Sequence, residues 1–486
     1  MNTELLKLYP HDLWENFGNL CDAPHPSKHE EAALAWAKGW AKEHNIQVEQ
    51  DKTGNLLFTI PATKGMEDRT PVILQGHIDM VPQANSSKKH DFLKDPIETE
   101  VLGEWVGAKG TTLGADNGIG IALGMAILES KDLQHGPIEV LCTYDEETGM
   151  TGAENLEPGM LKGDILINLD SEDEGELCIG CAGGLDAIAE FSYKTLKTPA
   201  GFVGYKLGVK GLQGGHSGMD ISLYRGNANK ILARTVLPAI ENLCALVSDF
   251  TGGSLRNAIP FEGEAHVMVP AGNEKEFEKM VDKFFGEAKA RYAESDPNME
   301  TYCEKEAPAA EYIETDAILR ALKSVIICPS NVIRMSQSME GLTETSTNLA
   351  IVRCENGKIR IASLMRSALD SSKSDLALRL KYIFELAGAD IRFEGGYPGW
   401  VPRPELPIIK LMNDVYNKMF GKDMMIRATH GGLECAIMGA TYPKWEMVSI
   451  GPTVVHPHSP DERVKIDTVG MVWEYLKVLL TNIPCK

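Results

Sequence analysis

The order of apolar and polar positions divides the chain into three stretches. In the first, residues 29–43 (HEEAALAWAKGWAKE) place Ala, Leu and Trp at helical spacing with polar residues between them. Short apolar runs follow: NLLFTI at 55–60, PVILQG at 71–76, IEVLCTY at 138–144 and DILINLD at 164–170. Between the second and third of these lies NGIGIALGMAILES (117–130), apolar over a helix length. Continuous apolar strands separated by helices predict a mixed, largely parallel sheet with helices on both faces.

From about Gly183 the pattern changes. FVGYKLGVKGL, EAHVMVP, KIRIASLMRS and ADIRFEGGYP read as strands that alternate or edge a sheet. KILARTVLPAIENLCALVSD (230–249), NEKEFEKMVDKFFGEAKARYA and SDLALRLKYIFELAG read as amphipathic helices beside them. The Pro/Gly-rich GGYPGWVPRPELP marks a crossing, after which helix and strand patterns resume. At 486 residues the chain exceeds one ordinary core. The expectation is an α/β fold in two domains: residues 1–185 and 398–486 form one, and an α+β domain is inserted over 186–397.

Hydrophobic residues at 43% and charged residues at 24% are ordinary for a globular chain. A formal charge of −21 excludes nucleic acid and anionic membranes as partners, since both require clustered Lys and Arg. The opening MNTELLKLYPHDLWENF lacks the cationic end and apolar run of a signal peptide, and no apolar stretch is long enough to cross a bilayer. Ten cysteines without a disulfide-like framework fit a reducing compartment, so a cytoplasmic location is expected.

Candidate chemistry gathers at the ends of these elements. His77 and Asp79 follow the buried run PVILQG, two residues apart, so an extended backbone sends both side chains to one side. Asp79 could then hold the His77 imidazole in one tautomer. Asp116 stands where the 117–130 helix begins, with Gly118 and Gly120 allowing a close backbone approach. Glu146 and Glu147 end a third run, Asp170 ends a fourth, and HPHSPDE offers His456 and His458. Open α/β sheets collect ligands beyond the carboxyl ends of their strands, where these groups could converge. Carboxylates mixed with imidazoles suit Zn, Mn or Co better than Mg or Ca.

Each residue taken singly has a plainer explanation. A histidine near a buried strand is usually satisfied locally, an Asp before a helix is usually an N-cap, and Glu-Glu after a strand is usually a solvated turn. Only the ordered set favours a metal centre. Cys178 and Cys181 form a CxxC without a second pair and are expected to be buried structural thiols. GIGIALG does not fit a dinucleotide fingerprint, and no Walker loop, HExxH or GxSxG is present.

As a set, GHIDMV, GADNGIGIA, DEETGMTGA, the NLDSE turn and HSPDE resemble the metal-site motifs of the co-catalytic zinc peptidase family that includes aminoacylase, glutamate carboxypeptidase, tripeptidase and carnosinase. PHPSKHEE and DKTGNLLF resemble the opening of the same family, with His25 where many relatives carry Arg. The resemblance implies a zinc-exopeptidase-like catalytic domain with an inserted lid domain, and two divalent ions, zinc with Co or Mn as substitutes. It places His77 and Asp170 on one ion, Glu147 and His458 on the other, and Asp116 between them. The family's ligand directly precedes Ser-Pro, which selects His458 over His456. Asp79 would orient His77, and Glu146 would act as general base toward the metal-bridging water. In the lid, His216 in GLQGGHSGMDI would bind the oxyanion, set among Gly214, Gly215 and Gly218. Asn257 and Arg366 would take the carboxylate end of the substrate, and His430 and Glu434 in THGGLECA would lie near its amine.

Motif order and insert length point within the family to dipeptidases that cleave unblocked dipeptides, Xaa-His among them. The alternatives are a tripeptidase, a carboxypeptidase or an N-acyl amino acid deacylase. A catalytically degenerate metal-binding protein is the reading from another class, and Glu146, a base beside a ligand, speaks against it. Small peptides are the expected partners, and both a homodimer and a monomer remain open.

Overall fold

The computed structural model describes residues 2–486. The chain forms two compact units: residues 1–180, 402–428 and 433–486 make the first, and residues 181–401 with 429–432 make the second.

The first unit is built on an eight-stranded sheet. Its strands run in the order Gln47–Gln50, Leu56–Ile60, Ile138–Thr143, Val72–His77, Ile165–Asn168, Glu446–Ser449, Glu176–Cys181, Met425–Thr429. The four strands from Ile138–Thr143 to Glu446–Ser449 are parallel. Three of them are buried along their whole length, as strands covered on both faces must be. Helix Glu31–His44 buries Ala33, Leu34, Ala37, Trp40 and Ala41, the stripe that its spacing predicts. Helix Ala115–Glu129 is different, because every residue except Asp116 and Glu129 is buried. It packs against helix His11–Asp22, whose Leu13, Trp14, Phe17 and Leu20 are sealed from solvent. Each such side chain contributes roughly 1.5–3 kcal/mol of burial.

The second unit is built on a nine-stranded antiparallel sheet with helices Ala228–Leu243, Glu274–Arg291, Thr315–Ile327 and Asp370–Leu386. The strand Gly183–Ser192 belongs to it: Gly183 and Gly184 pair with Ser367 and Arg366 of Lys358–Ser367. That pairing moves the passage between units to 180/181 from the expected 185/186, and the return lies at 401/402 rather than 397/398. The helix expected over 230–249 stops at Leu243. Cys244 takes a left-handed φ of 54°, and Leu246–Gly252 is a strand paired with Gly263–Pro270. A bulge between Val247 and Asp249 interrupts its alternation, which is why the period-two signal was hidden. The thirteen-residue strand Thr343–Glu355 gave no sequence signal either, since its first half buries Thr343, Glu344, Thr345, Ser346, Thr347 and Asn348. Among the described residues no helix is long and apolar enough to cross a membrane.

Two glycines of the buried helix differ in what they permit. A Cβ at Gly120 would stand 2.5 Å from Asn117 Oδ1 and 2.7 Å from the Leu169 carbonyl oxygen, at the end of the strand that leads to Asp170. A Cβ at Gly118 would meet only side-chain carbons of Leu20 and Phe17, at 3.1 and 3.3 Å. Gly120→Ala is therefore expected to destabilise the protein by about 1–3 kcal/mol and Gly118→Ala by less. Denaturant unfolding of the two variants measures the contrast.

Candidate metal centre

The parallel strands deliver acids and an imidazole to the same end of the sheet. His77 is the last residue of its strand, and Glu146 and Glu147 open a short helix just beyond Ile138–Thr143. Asp170 lies two residues past Ile165–Asn168, and His458 lies in the loop between Val454–Val455 and Arg463–Lys465. Asp116 arrives from the side, at a break in helix Ala115–Glu129 where its φ and ψ are −83° and 103°. It acts as no N-cap, because no side-chain cap bond is made at this helix start.

Asp116 presents one oxygen to each of two groups. Its Oδ1 lies 3.1 Å from His77 Nε2, which is itself 3.5 Å from Asp170 Oδ1. Its Oδ2 lies 3.1 Å from His458 Nε2, which is 3.0 Å from Glu147 Oε2. His77, Asp116 and Asp170 form one set that could hold an ion, and Asp116, Glu147 and His458 form another. His456, the other histidine of HPHSPDE, is in neither set.

Asp79, buried to 1% exposure, organises this arrangement from behind. His77 Nδ1 lies 3.1 Å from the Asp79 carbonyl oxygen and 3.3 Å from its Oδ1, which leaves Nε2 to face Asp116 and Asp170. The same carboxylate accepts the backbone N–H of Glu146 at 2.9 Å and of Glu147 at 3.2 Å. One side chain thus fixes both an imidazole and the segment bearing two glutamates.

Electrostatics test whether cations fit. Burial, reinforced by Asp116 and Glu147, pushes the Asp170 carboxyl up to about 6. Burial, with Asp170, Glu147 and Glu434 nearby, drives Glu146 well above the usual carboxylate range. Hydrogen bonds to Asp116 and Glu147 raise His458 to about 11, and His77 is raised by Asp170 and Asp116 against the effect of its own burial. Glu147 also leaves Oε1 buried without a hydrogen-bond partner. Carboxyls raised by crowding and burial, with an orphaned carboxylate oxygen among them, are the state that divalent cations relieve, so the donor set fits metal.

Glu434 is also in the first unit, at 1% exposure, where its Oε2 accepts from Gln75 Nε2 and Thr143 Oγ1, each at 2.7 Å. Its Oε1 has no partner, and burial raises the carboxyl to about 7. Gln75 in turn accepts from Asn168, so a row of polar side chains crosses the parallel strands beneath the acids. Sequence reasoning missed this row because polar residues inside apolar strands carry no periodic signal. It also gave no role to Glu462. His25 is buried and donates to the Ala23 carbonyl at 2.5 Å, so a backbone hydrogen bond occupies the position where an ion pair was in question.

The second unit gathers the remaining candidates around a cation. Arg366 is 5% exposed and lies 3.4 Å from Ser217 Oγ, 3.2 Å from Tyr397 Oη and 3.4 Å from His216 Nε2. Among the described residues no carboxylate lies within ion-pair distance of its guanidinium. His216 Nδ1 accepts the backbone N–H of Gly218 and Met219, so a neutral ring carries its proton on Nε2. Burial, then the Arg366 charge, lowers the pKa of His216, and the same two causes take His430 down to about 3. Two donors, Arg366 Nη2 and His216 Nε2, therefore face each other and call for a shared acceptor. His430 is bonded through Nε2 to Ser346 Oγ at 2.7 Å. Asn257 is not drawn into this group through its side chain; it is exposed in a turn, and only its carbonyl oxygen is engaged, by Ser217 N–H.

Residues 73–482 match the family described as Peptidase family M20/M25/M40. The chain is 45% identical over 487 aligned residues to the cytosol non-specific dipeptidase of Escherichia coli K12, covering all of both chains. It superposes on the crystal structure of aminoacylhistidine dipeptidase from Vibrio alginolyticus with a TM-score of 0.92 and 46% identity, covering 99% of this chain and 98% of that one. The aminopeptidase PepT structure from Bacillus cereus shares the fold at 15% identity and a TM-score of 0.59, with 98% and 99% of the chains covered.

Because Asp79 serves both His77 and the Glu146–Glu147 backbone, Asp79→Asn is expected to weaken metal retention about 10- to 100-fold. Zinc content after dialysis against a graded chelator series reads this directly; wild-type retention would remove Asp79 from the supporting role.

Proposed function

The chain belongs to peptidase family M20/M25/M40, and from that premise we propose that it hydrolyses unblocked dipeptides, Xaa-His among them, with two divalent ions. The observation that carries this reading is the division of Asp116 between two acid–imidazole sets, one per oxygen. His77 and Asp170 would hold one ion, Glu147 and His458 the other, and zinc suits such a mixed nitrogen and oxygen set, with Co or Mn able to replace it. The inserted unit is proposed as a separate domain of the enzyme, and the cytoplasm as its place of action, as in the name of the Escherichia coli relative.

Ions bound there would lower the pKa of a water molecule and polarise the scissile carbonyl. Glu146 takes the proton from the attacking water and returns it to the leaving amine, a task for which a carboxyl raised by its surroundings is suited. His216 donates from Nε2 to the oxygen that becomes negative, and Arg366 pairs with the substrate carboxylate. A buried guanidinium without a protein carboxylate supports that second role. Glu434, buried and with one oxygen unpartnered, is proposed to receive the substrate ammonium, and His430 to hold the adjoining loop through Ser346. Asn257 is retained as a substrate-side residue whose exposed side chain would engage only when substrate is bound.

A chelator should abolish hydrolysis and added Zn, Co or Mn should restore it; turnover by metal-free protein would overturn the reading. A panel of dipeptides, tripeptides and N-acyl amino acids, run with and without chelator, should show cleavage of the free dipeptides above the rest. Glu146→Ala should retain metal and lose about 10²- to 10⁴-fold in kcat. Arg366→Ala should raise KM roughly 10- to 100-fold for substrates with a free C-terminus, the scale of one charge-assisted hydrogen bond.

A further inference from the structure

The HSPDE motif holds a carboxylate to which the mechanism gives no task. Glu462 lies four residues beyond His458 and is 3% exposed. Its Oε2 accepts the backbone N–H of Leu113 at 2.8 Å and of Gly114 at 3.0 Å. Its Oε1 accepts those of Ala115 at 2.7 Å and Asp116 at 3.1 Å. Four consecutive amides fill the acceptor capacity of one carboxylate.

These amides lie where helix Ala115–Glu129 starts, and a helix start leaves its first N–H groups without intrahelical partners. Such donors are commonly met by a side chain from the same turn. Here Gly114 has a left-handed φ of 73° and the segment supplies no side-chain cap. The acceptor comes instead from a residue 346 positions away. Glu462 belongs to no group of acids and imidazoles that could hold an ion, among the described residues. It ties together two segments that do: 113–116, which brings Asp116, and 456–462, which brings His458.

We infer that Glu462 is a positioning residue that sets the approach of Asp116 to His458 and thereby the affinity of the metal site they share with Glu147. The inference rests on the ligand assignment proposed above. Metal–ligand distances tolerate errors of only about 0.2 Å. The His458 Nε2 to Asp116 Oδ2 separation of 3.1 Å joins two loops that the Glu462 carboxylate clamps directly, one residue before Arg463 pairs with Gly107. His77 and Asp170 are held by adjacent parallel strands and do not depend on that clamp in the same way.

The test uses full-length protein stripped of metal and titrated with Zn²⁺ against a chromophoric chelator, which yields the affinity of each site. Glu462→Gln, which sets an amide donor among N–H donors, is expected to weaken one of the two Zn²⁺ sites about 10- to 100-fold, the scale of a lost supporting contact. His458→Ala should weaken one site at least as much. The double variant should lose little beyond His458→Ala, because both changes act on one interaction. Wild-type Zn²⁺ affinity in Glu462→Gln, or losses that add fully in the double variant, would overturn the inference and leave the ligand assignment standing. Unchanged affinity in His458→Ala would overturn the assignment itself. Should Glu462→Gln fail to fold, Glu462→Asp keeps the charge but withdraws it by one methylene; wild-type affinity there also overturns the inference.

Discussion

Crowding of negative charge at one end of a parallel sheet is the constraint around which the first unit is organised. Asp116, Glu146, Glu147, Asp170 and Glu434 interact closely enough to perturb one another in a largely buried setting. Among the described residues, the only basic groups paired with them are the imidazoles of His77 and His458. Left alone, such a cluster would take up protons or loosen. Its geometry persists because the surroundings specify it: parallel strands lead to Glu146, Glu147 and Asp170, helix starts carry Asp116 and Glu434, and the buried carboxylates of Asp79 and Glu462 accept from backbone amides behind the ligands. Repulsion at the front and hydrogen bonding at the rear together make a cavity that favours divalent cations over protons.

The second unit presents the opposite case, a buried guanidinium that makes no ion pair among the described residues, although the Asp186 carboxylate feels its charge. Arg366 is surrounded by hydroxyls and by histidines whose pKa values are lowered by burial and then by its charge. A guanidinium so placed is costly unless an anion reaches it. The first unit thus crowds acids together and the second buries a guanidinium.

Much of this was legible in the sequence for a definite reason. The parallel strands are continuous apolar runs and the central helix is apolar all round, so composition alone marks them as buried. The metal-centre candidates stand at the ends of those runs, where a change of polarity is easily seen. Thr343–Glu355 was invisible because the buried positions of its first half carry hydroxyls and an amide rather than apolar side chains, some bonded to distant groups, such as Ser346 to His430. Glu462 was quoted within a motif yet left without a role, since its four amide donors lie far away in the chain. Asn257, which a motif placed among substrate residues, is exposed in a turn. Local pattern reports burial and punctuation; it does not report which distant group satisfies a polar atom.

The position of the strand Glu446–Ser449 has a consequence for how the molecule is made. It lies beside Ile165–Asn168, in parallel register, and its chain neighbours supply Glu434 and His458. A ribosome must therefore translate the entire inserted unit before that neighbour exists. Until then Ile165–Asn168, apolar on both faces, is an exposed sheet edge open to pairing with another chain. The nascent acid cluster meanwhile lacks His458 and the Glu462 clamp on the loop of Asp116. A chain that stops short of Glu446 would therefore lack both this neighbouring strand and His458, one of the groups proposed for the centre.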